Sequence, residues 1–438
     1  EEAVLLIPQD PWTYEECQAL VDRYGGFKPA AEAIGMAYET FRSRCYRVGV
    51  RSPLKPGQTR RALAHAEESP EPEELSREEL IRQEAERQRA AQMKLAAKRE
   101  LRERSSLQVV LDTLREIIPP LVRQNIDLIN VPVGTGDEEE AVALISDQQI
   151  GEVVDPVEMG GLGAFSTQVF QRRVERWTRS VAKIIRLHQH AYPVRRLHAW
   201  FLGDNGDGVL IYRGQSWALD ADRLEQLALG TQAFARALVS LLQVVEQIRV
   251  VGIIGNHGRQ GRKGEARLMD NTDILFYWIL SLLLANYRDR ITWDVPRSWW
   301  TVQEVLGHRF LLIHGDEINS SQTYGIPFYG VQRKDAGYTK MLQARGITYD
   351  YMIVGHHHHA AMMDSPTGEQ IVNGSWVGGN ELSARAKTLT NEPSQWLFGV
   401  HRRRGITWRY KIKLYEPGDE ELVPARARWP VFGEVLEA

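Results

Sequence analysis

From about residue 141 onward, short apolar runs alternate with longer segments that place apolar residues at helical spacing. Short apolar runs are typical of buried strands, whereas apolar positions three and four apart predict amphipathic helices. This alternation predicts an α/β domain over residues 140–415. The predicted strands are 142–146, 197–202, 250–254, 310–313, 351–354, 396–400 and 407–413. The predicted helices are 167–190, 222–248, 270–285 and 336–344.

Residues 1–55 show a different pattern, in which short helical segments are separated by glycines. Thr13 is a suitable N-cap for a first helix. A second helix is predicted over 29–34, and a third over 37–48 after a turn at Gly35. Short helices joined by a glycine-containing turn are typical of helix-turn-helix proteins, so this segment is predicted to be a small all-α domain.

The third of these helices is strongly basic. Segment 36–61 contains seven basic residues and one acidic residue. The basic residues within the helix are Arg42, Arg44 and Arg47. One interpretation is a DNA-binding head whose third helix enters the major groove, and the other is a protein-interaction module with a solvated basic face. We favour the DNA-binding head.

Residues 56–139 are predicted to join this head to the α/β domain. A proline-rich linker comes first, and a long charged helix follows from the capping box at Ser76 and Glu79. Its apolar positions do not keep a heptad, so we favour a solvated spacer over a coiled coil and leave homo-oligomer formation open. Residues 416–438 are predicted to be a C-terminal tail.

The 438 residues carry a net charge of −3, with 43% hydrophobic and 25% charged residues. These values exclude a wholly disordered chain and confine any nucleic-acid surface to a local patch. Two cysteines are too few for a disulfide framework and favour a reducing compartment. The longest apolar stretch, 274–287, is too short to span a bilayer, and no secretion signal opens the sequence. We therefore expect a cytoplasmic protein without a membrane partner.

Five of the predicted strands are followed by polar residues of the types that bind metal ions. One such turn is common, but five in succession indicate a site at the carboxyl edge of an α/β sheet. The clusters read SDQQ at 146–149, GDNGD at 203–207, GNH at 255–257, HGD at 314–316 and GHHHH at 355–359.

In this order the clusters resemble the motifs of the calcineurin-like metallophosphoesterases. Those motifs are Asp-x-His, Gly-Asp-x-x-Asp, Gly-Asn-His, a lone His and Gly-His-x-His. The resemblance implies a four-layer α/β/β/α sandwich that holds two divalent metal ions, here preceded by the small all-α domain and the charged helix. It implies that His257 acts on the substrate. The metal ligands it implies are Asp147, Gln149 and His358 for one ion, Asn256, His314 and His356 for the other, and Asp204 as the bridge.

One position departs from the family pattern, because Gln149 stands where the first motif ends in His. A Gln carbonyl oxygen still binds metals, but it is a neutral and harder ligand than imidazole. The first metal is therefore expected to bind more weakly and to be Mn²⁺ in preference to Zn²⁺, Fe²⁺ or Mg²⁺. Loss of catalysis at this position is the alternative.

Phosphodiester hydrolysis suits this set of residues. Two metals about 3.5–4 Å apart neutralise the phosphate and ionise a bridging water that attacks in line. Asp204 can bridge because a carboxylate has two oxygens. His257 is predicted to assist the leaving group. Asp207 either orients His257 or caps a turn.

Residues near these motifs extend the predicted site. Continued strand alternation after 351–354 would direct His356 and His358 to one side and His357 and His359 to the other. Segment 258–267 contains four basic residues and three glycines, and it is either a phosphate clamp, which we favour, or a solvated loop. The predicted clamp residues are Arg259, Arg262 and Lys263. Trp299 and Trp300 are expected in a core or an interface, not as base-stacking platforms.

Together these features predict a two-metal phosphodiester hydrolase, and we favour a nuclease that acts on DNA. Such a chain looks like the DNA-repair exonucleases of phages and bacteria with an added DNA-binding head, which would place it in a bacterial or phage-infected cell. One alternative is a phosphatase or phosphodiesterase that acts on small nucleotides or phosphoproteins. Another is a DNA-binding or assembly protein that has lost activity at Gln149.

Overall fold

We describe a computed structural model of the chain, which divides into two compact units, Glu1–Ser105 and Ser106–Ala438. Among the described residues, no helix is both long and apolar enough to cross a membrane. The structure describes residues 12–50, 118–129, 134–209, 211–212, 214–261, 263–318, 328–365, 368–381 and 391–424, and positions 86, 88, 93, 94 and 384.

The first unit contains the three helices expected near the N-terminus. Thr13 caps the first helix as predicted, because its hydroxyl accepts the N–H of Glu16 while the Glu16 carboxylate accepts the N–H of Thr13. Gly35 precedes the third helix with a φ of 68°, a conformation that favours glycine. The helices are α1 (Tyr14–Tyr24), α2 (Phe27–Ala33) and α3 (Tyr38–Arg47).

The basic residues of α3 have different surroundings. Arg42 lies 3.5 Å from the carboxylate of Glu39, and the guanidinium of Arg44 lies 5.0 Å from the ring centre of Trp12. Arg47 is exposed. Arg44 therefore packs within its own unit, whereas Arg47 faces solvent.

Of the predicted charged helix, positions 86, 88, 93 and 94 are described and all four are helical. The proline-rich linker and residues 425–438 lie outside the described residues.

The second unit is a mixed α/β structure with two β-sheets. The first sheet contains β1 (Glu139–Ile145), β2 (Val194–Phe201), β3 (Gln247–Gly252), β4 (Ile291–Asp294), β10 (Ser394–His401) and β11 (Gly405–Lys413). The second contains β5 (Trp300–Val305), β6 (His308–Ile313), β7 (Tyr351–Val354), β8 (Ala361–Ser365) and β9 (Gly368–Val372). The strand orders are β11-β10-β1-β2-β3-β4 and β5-β6-β7-β9-β8. Strands β1 to β4 run parallel to one another, as do β6, β7 and β9.

Four helices accompany the sheets in the described part of this unit. They are α4 (Thr167–Gln189), α5 (Arg223–Leu241), α6 (Thr272–Leu283) and α7 (Phe328–Gln343). The four predicted helices are thus present. However, the helix predicted over 222–248 is too long, because its last residues belong to β3. The apolar spacing around Val244, Val245 and Ile248 fits a helix, yet Ile248 pairs with Ile291 in a parallel ladder.

Three apolar clusters hold the layers together. One joins α4, α5 and α6 to the first sheet through residues such as Trp177 and Phe234. The second lies between the sheets and includes Leu144, Trp200 and Phe310. The third joins α7 to the second sheet. Burial on both faces explains why the carboxyl parts of β1, β2 and β3 are apolar. It also fixes the carboxyl ends of strands from both sheets near one another.

Candidate metal centre

The residues predicted from the five motifs meet at the carboxyl ends of neighbouring strands. Asp147 follows β1, Asp204 follows β2 and Asn256 follows β3, whereas His314 follows β6 and His356 follows β7. All are buried or nearly so. Because β1–β3 are adjacent parallel strands and β6–β7 are adjacent in the facing sheet, both sheets deliver ligands to one place.

Backbone strain is concentrated at this place. Among the described residues, six residues other than glycine have a positive φ. Only Leu306 among them lies outside the predicted ligand set. Such conformations cost free energy and persist where surrounding contacts impose them, typically at functional sites. The other five are Asp147, Gln149, Asp204, His356 and His358, with φ between 44° and 64°.

Asp204, His314 and His356 form the tightest group, with one ligand atom from each lying within 4.8 Å of the others. His314 Nδ1 donates to the carbonyl of Leu202 at 2.7 Å, so Nε2 is the ring nitrogen that faces the site. It lies 3.0 Å from Asp204 Oδ2 and 3.0 Å from Asn256 Oδ1. These short distances fit a positive charge at this point, which a proton on the His314 ring or a bound cation would supply.

The second group lies around Asp147. Both of its carboxylate oxygens accept the N–H of His356, at 3.0 and 3.1 Å, and Oδ1 lies 3.5 Å from His358 Nε2. Gln149 Nε2 lies 3.2 Å from the same His358 nitrogen. The side-chain amide oxygen of Gln149 is buried and has no hydrogen-bond partner. An unpaired buried carbonyl beside a carboxylate and an imidazole fits a metal ligand, and so the residues present fit two cations.

The charges of the site keep both of its buried carboxylates ionised. Asp147 and Asp204 are fully buried, which by itself raises the pKa of a carboxyl group, yet histidines outweigh burial and hold the pKa of both below the ordinary value. Burial lowers the pKa of His314, but Asp204 outweighs it and leaves the pKa well above the ordinary value. Burial and the nearby His314 lower the pKa of His356 to about 4, so His356 is neutral and able to bind a metal.

His257 and Asp207 form a pair beside these groups. His257 Nδ1 lies 2.9 Å from Asp207 Oδ1 and 2.8 Å from its carbonyl oxygen, and the backbone N–H of His257 donates to Asp204 Oδ1 at 2.7 Å. Gln215 Nε2 donates to Asp207 Oδ2 at 2.7 Å. Although burial opposes it, the carboxylates of Asp204 and Asp207 raise the pKa of His257 to about 10. Of the two readings left open for Asp207, the geometry favours the one in which it orients His257.

The histidine run reaches the site differently from the prediction. Strand alternation does not place His356 and His358, because β7 ends at Val354 and the run follows it as a turn. Both residues instead adopt left-handed conformations, with φ of 64° and 61°. His357 is partly buried, and burial together with the nearby His356 lowers its pKa to about 3.

The basic loop borders a cavity of about 250 Å³ beside Asn256 and His314. Arg259 and Lys263 line this cavity, whereas Arg262 lies outside the described residues. Trp299 also lines it and is 43% exposed, so of the two positions expected for Trp299, a core or an interface, the core is wrong. Trp300 starts β5 and packs against the cluster around α7, as expected.

Asp273 is a residue of the site that the motifs did not indicate. It lies in the first turn of α6 and is 1% exposed. Its carboxylate accepts the backbone N–H groups of Asp204, Asn205 and Gly255 at 3.2, 3.1 and 2.7 Å. The available signal was an acidic residue at the start of an otherwise apolar helix, which also fits a favourable helix dipole interaction.

Glu152 is the second residue that sequence reasoning missed. Burial and the charge of Asp207 raise its pKa to about 7, and Asn380 donates to one of its oxygens at 2.8 Å. Its position three residues after Gln149 gave no motif to recognise it by.

No protein-family model matches the chain, and no curated protein matches it. Among solved structures, it is similar to Vps29 of Entamoeba histolytica in complex with Zn²⁺, at 11% identity over 62% of this chain and 99% of that one, with a TM-score of 0.25. An archaeal phosphodiesterase gives 10% identity, 62% and 99% coverage and a TM-score of 0.27. A hypothetical protein of Pyrococcus horikoshii gives 12% identity, 65% and 94% coverage and a TM-score of 0.34. With TM-scores this low, none of the three assigns the chain to a family.

Proposed function

We propose that the chain is a metal-dependent phosphodiester hydrolase of the calcineurin-like type and that it acts on DNA as a nuclease. The observation that carries this proposal is the convergence of seven predicted ligands at the strand ends, five of them in left-handed conformations. The three apolar clusters, which lie on both outer faces of the sheets and between them, support the four-layer arrangement.

Two divalent cations fit this site, and Mn²⁺ is our first choice because the ligand set is rich in oxygen. The residues that would hold them are Asp147, Gln149 and His358 on one side, Asn256, His314 and His356 on the other, and Asp204 between. When bound, such ions withdraw charge from the phosphate oxygens and lower the pKa of a water molecule. The unpaired side-chain oxygen of Gln149 is available as a metal ligand, which supports an intact metal site over one that has lost activity.

The chain itself supplies the proton for the leaving group. Asp207 holds Nδ1 of His257, which leaves Nε2 to face the substrate. The raised pKa keeps the ring protonated at neutral pH, and so it can donate to the leaving alkoxide. Arg259 and Lys263 bring positive charge to the same side, where they can hold phosphate oxygens.

DNA is our first choice of substrate because the basic α3 belongs to a separate unit of the same chain. Binding of the head to DNA would raise the local DNA concentration at the metal centre. A phosphodiesterase that acts on small nucleotides is the second candidate. The cavity of about 250 Å³ favours it, since this space is closer to one nucleotide than to a duplex.

The test is a cleavage assay with the purified full chain, Mn²⁺, and internally labelled single- and double-stranded DNA. We expect the parent to cleave and Asp204→Ala to lose bound metal and activity together. His257→Asn should keep its metal content and lose about 10²–10⁴ in turnover, as removal of a general acid does. Absence of cleavage by a metal-loaded parent would refute DNA as the substrate, and full activity of His257→Asn would refute its role.

A further inference from the structure

The cavity beside the metal centre, which we call the Trp299 cavity, has two chemically different walls. One wall is basic and belongs to the loop after β3, with Arg259, Lys263 and Arg267. The Nε of Arg259 donates to the carbonyl of Asn256 at 2.7 Å, so this guanidinium is fixed next to a predicted metal ligand. Positive groups in this position suit phosphate oxygens.

Other residues of the lining provide an indole and carboxylates. Trp299 lies between β4 and β5 and is 43% exposed, which is a large exposed fraction for an indole because its apolar area favours burial. Trp299 Nε1 donates to the hydroxyl of Tyr338 at 3.0 Å, and Tyr338 donates to Glu317 at 2.6 Å. Glu317 also lines the cavity, as does Asp316. Two hydrogen bonds in series therefore hold the indole at the cavity wall.

This combination matches one class of ligand. A fixed and exposed aromatic ring binds planar groups by stacking, cations bind phosphate, and carboxylates accept hydrogen bonds from exocyclic amino groups. A sugar phosphate would use only the basic wall. A nucleotide carries all three groups within one molecule.

We propose that the Trp299 cavity binds the base of a nucleotide whose phosphate lies at the metal centre. The proposal rests on the proposed function for the position of the phosphate, and it adds that the chain discriminates nucleotides from other phosphoesters. It also reverses the expectation from the sequence that Trp299 is not a base-stacking platform.

The test is equilibrium binding of the metal-loaded full chain, measured by titration calorimetry with two ligands that differ in the base alone. These are 2′-deoxyadenosine 5′-monophosphate and 2-deoxyribose 5-phosphate. We expect the parent to bind the nucleotide about tenfold more tightly, because stacking is worth that much or more. Trp299→Ala should lose this preference and keep its affinity for the sugar phosphate, while Trp299→Phe should retain most of the preference.

Two further variants keep the result interpretable. Tyr338→Phe removes the hydroxyl that fixes the indole and should weaken the preference partly, with the ring still present. Tyr415→Ala removes an exposed aromatic ring beyond β11 and serves as the matched control. Metal content and melting temperature of Trp299→Ala must equal those of the parent, and Trp299→Leu, which is larger but also lacks an aromatic ring, replaces it if Trp299→Ala does not fold.

The possible outcomes separate this proposal from the proposed function. A preference for the nucleotide that survives unchanged in Trp299→Ala would overturn the proposal, as would a parent that binds both ligands equally. If the parent shows the preference, and Trp299→Ala loses it, but DNA is not cleaved, the nuclease proposal fails and the base-binding cavity stands.

Discussion

Asp273 holds Asp204 in its left-handed conformation, since the Oδ2 of Asp273 accepts the backbone N–H of Asp204 at 3.2 Å. The same oxygen accepts the N–H of Gly255 at 2.7 Å. One carboxylate on α6 thereby ties the turn after β2 to the turn after β3. A Cβ at Gly255 would overlap the carboxylate of Asp204, so the close approach of the two turns requires glycine there.

Replacing Asp273 with Asn should weaken metal binding without removing a ligand. An amide has one acceptor oxygen in place of two, so at least one buried N–H is left unpaired, at a cost of about 1–3 kcal/mol in the free energy of unfolding. We expect metal affinity to fall about 10–100-fold, as for other residues that orient ligands. Calorimetric metal titration at a temperature where both proteins are folded measures this. Asp270→Asn, an exposed change just before the same helix, is the control, and unchanged affinity in Asp273→Asn would contradict the positioning role.

Gln149, which stands where the first family motif ends in His, gives a second prediction. Gln149→Leu removes the unpaired carbonyl oxygen and should lower the affinity of the first metal by about 10–100-fold, leaving the group around Asp204 occupied. Gln149→His adds an imidazole and should shift the preference from Mn²⁺ toward Zn²⁺. Metal content after dialysis, measured by mass spectrometry, distinguishes the variants. If Gln149→Leu retained two ions per chain, Gln149 would not be a ligand.

The parts of the site that followed from the sequence are those set by strand ends. An apolar run followed by Asp, Asn or His locates a side chain at the sheet edge, and this was enough to bring Asp147, Asp204 and Asn256 together. The approach of His356 and His358 depends on left-handed backbone, which periodicity does not encode. Asp273 acts from a helix far along the chain through backbone hydrogen bonds, and these leave no spacing pattern.

The fold was predictable to a similar extent. Strands buried on both faces, such as β1, gave continuous apolar runs and were found. Strands β4, β5, β8 and β9 were missed. β5 and β8 lie at the edges of the second sheet and mix polar with apolar residues, and β4 is an edge strand of four residues. Short strands that mix polar with apolar residues contain too few positions for an apolar run or an alternation to be recognised.

A buried pair away from the metal centre predicts how stability changes with pH. His198 Nε2 lies 2.7 Å from Glu140 Oε2, and Arg196 lies 2.9 Å from the other oxygen. Burial lowers the pKa of His198 more than Glu140 raises it. Burial alone would raise the pKa of Glu140, but His198 and then Arg196 outweigh it and leave the pKa below the ordinary value.

Both shifts act in the same direction. A group whose pKa is lower in the folded state takes up its proton more readily when unfolded, so stability falls as the pH falls through the unfolded pKa. For His198 this loss begins near pH 6.5, and for Glu140 it begins near pH 4.5. We expect His198→Gln to show a smaller drop in melting temperature between pH 7.5 and about pH 5 than the parent. His190→Gln, an exposed histidine, is the control, and equal drops in parent and His198→Gln would contradict the assignment.

The surroundings of the α3 arginines predict different effects on DNA binding. Arg47 is exposed, so Arg47→Ala should weaken binding of the full chain to duplex DNA and reduce the slope of log affinity against log salt by about one. Arg44 stacks on Trp12, and Arg44→Ala should in addition lower the melting temperature of the first unit. Binding is measured in EDTA at several salt concentrations, so that cleavage does not interfere. Arg23→Ala, an exposed cation on α1, is the matched control. If Arg47→Ala and Arg23→Ala had the same affinity and salt slope as the parent, α3 would not contact phosphates and the head would be a protein-interaction module.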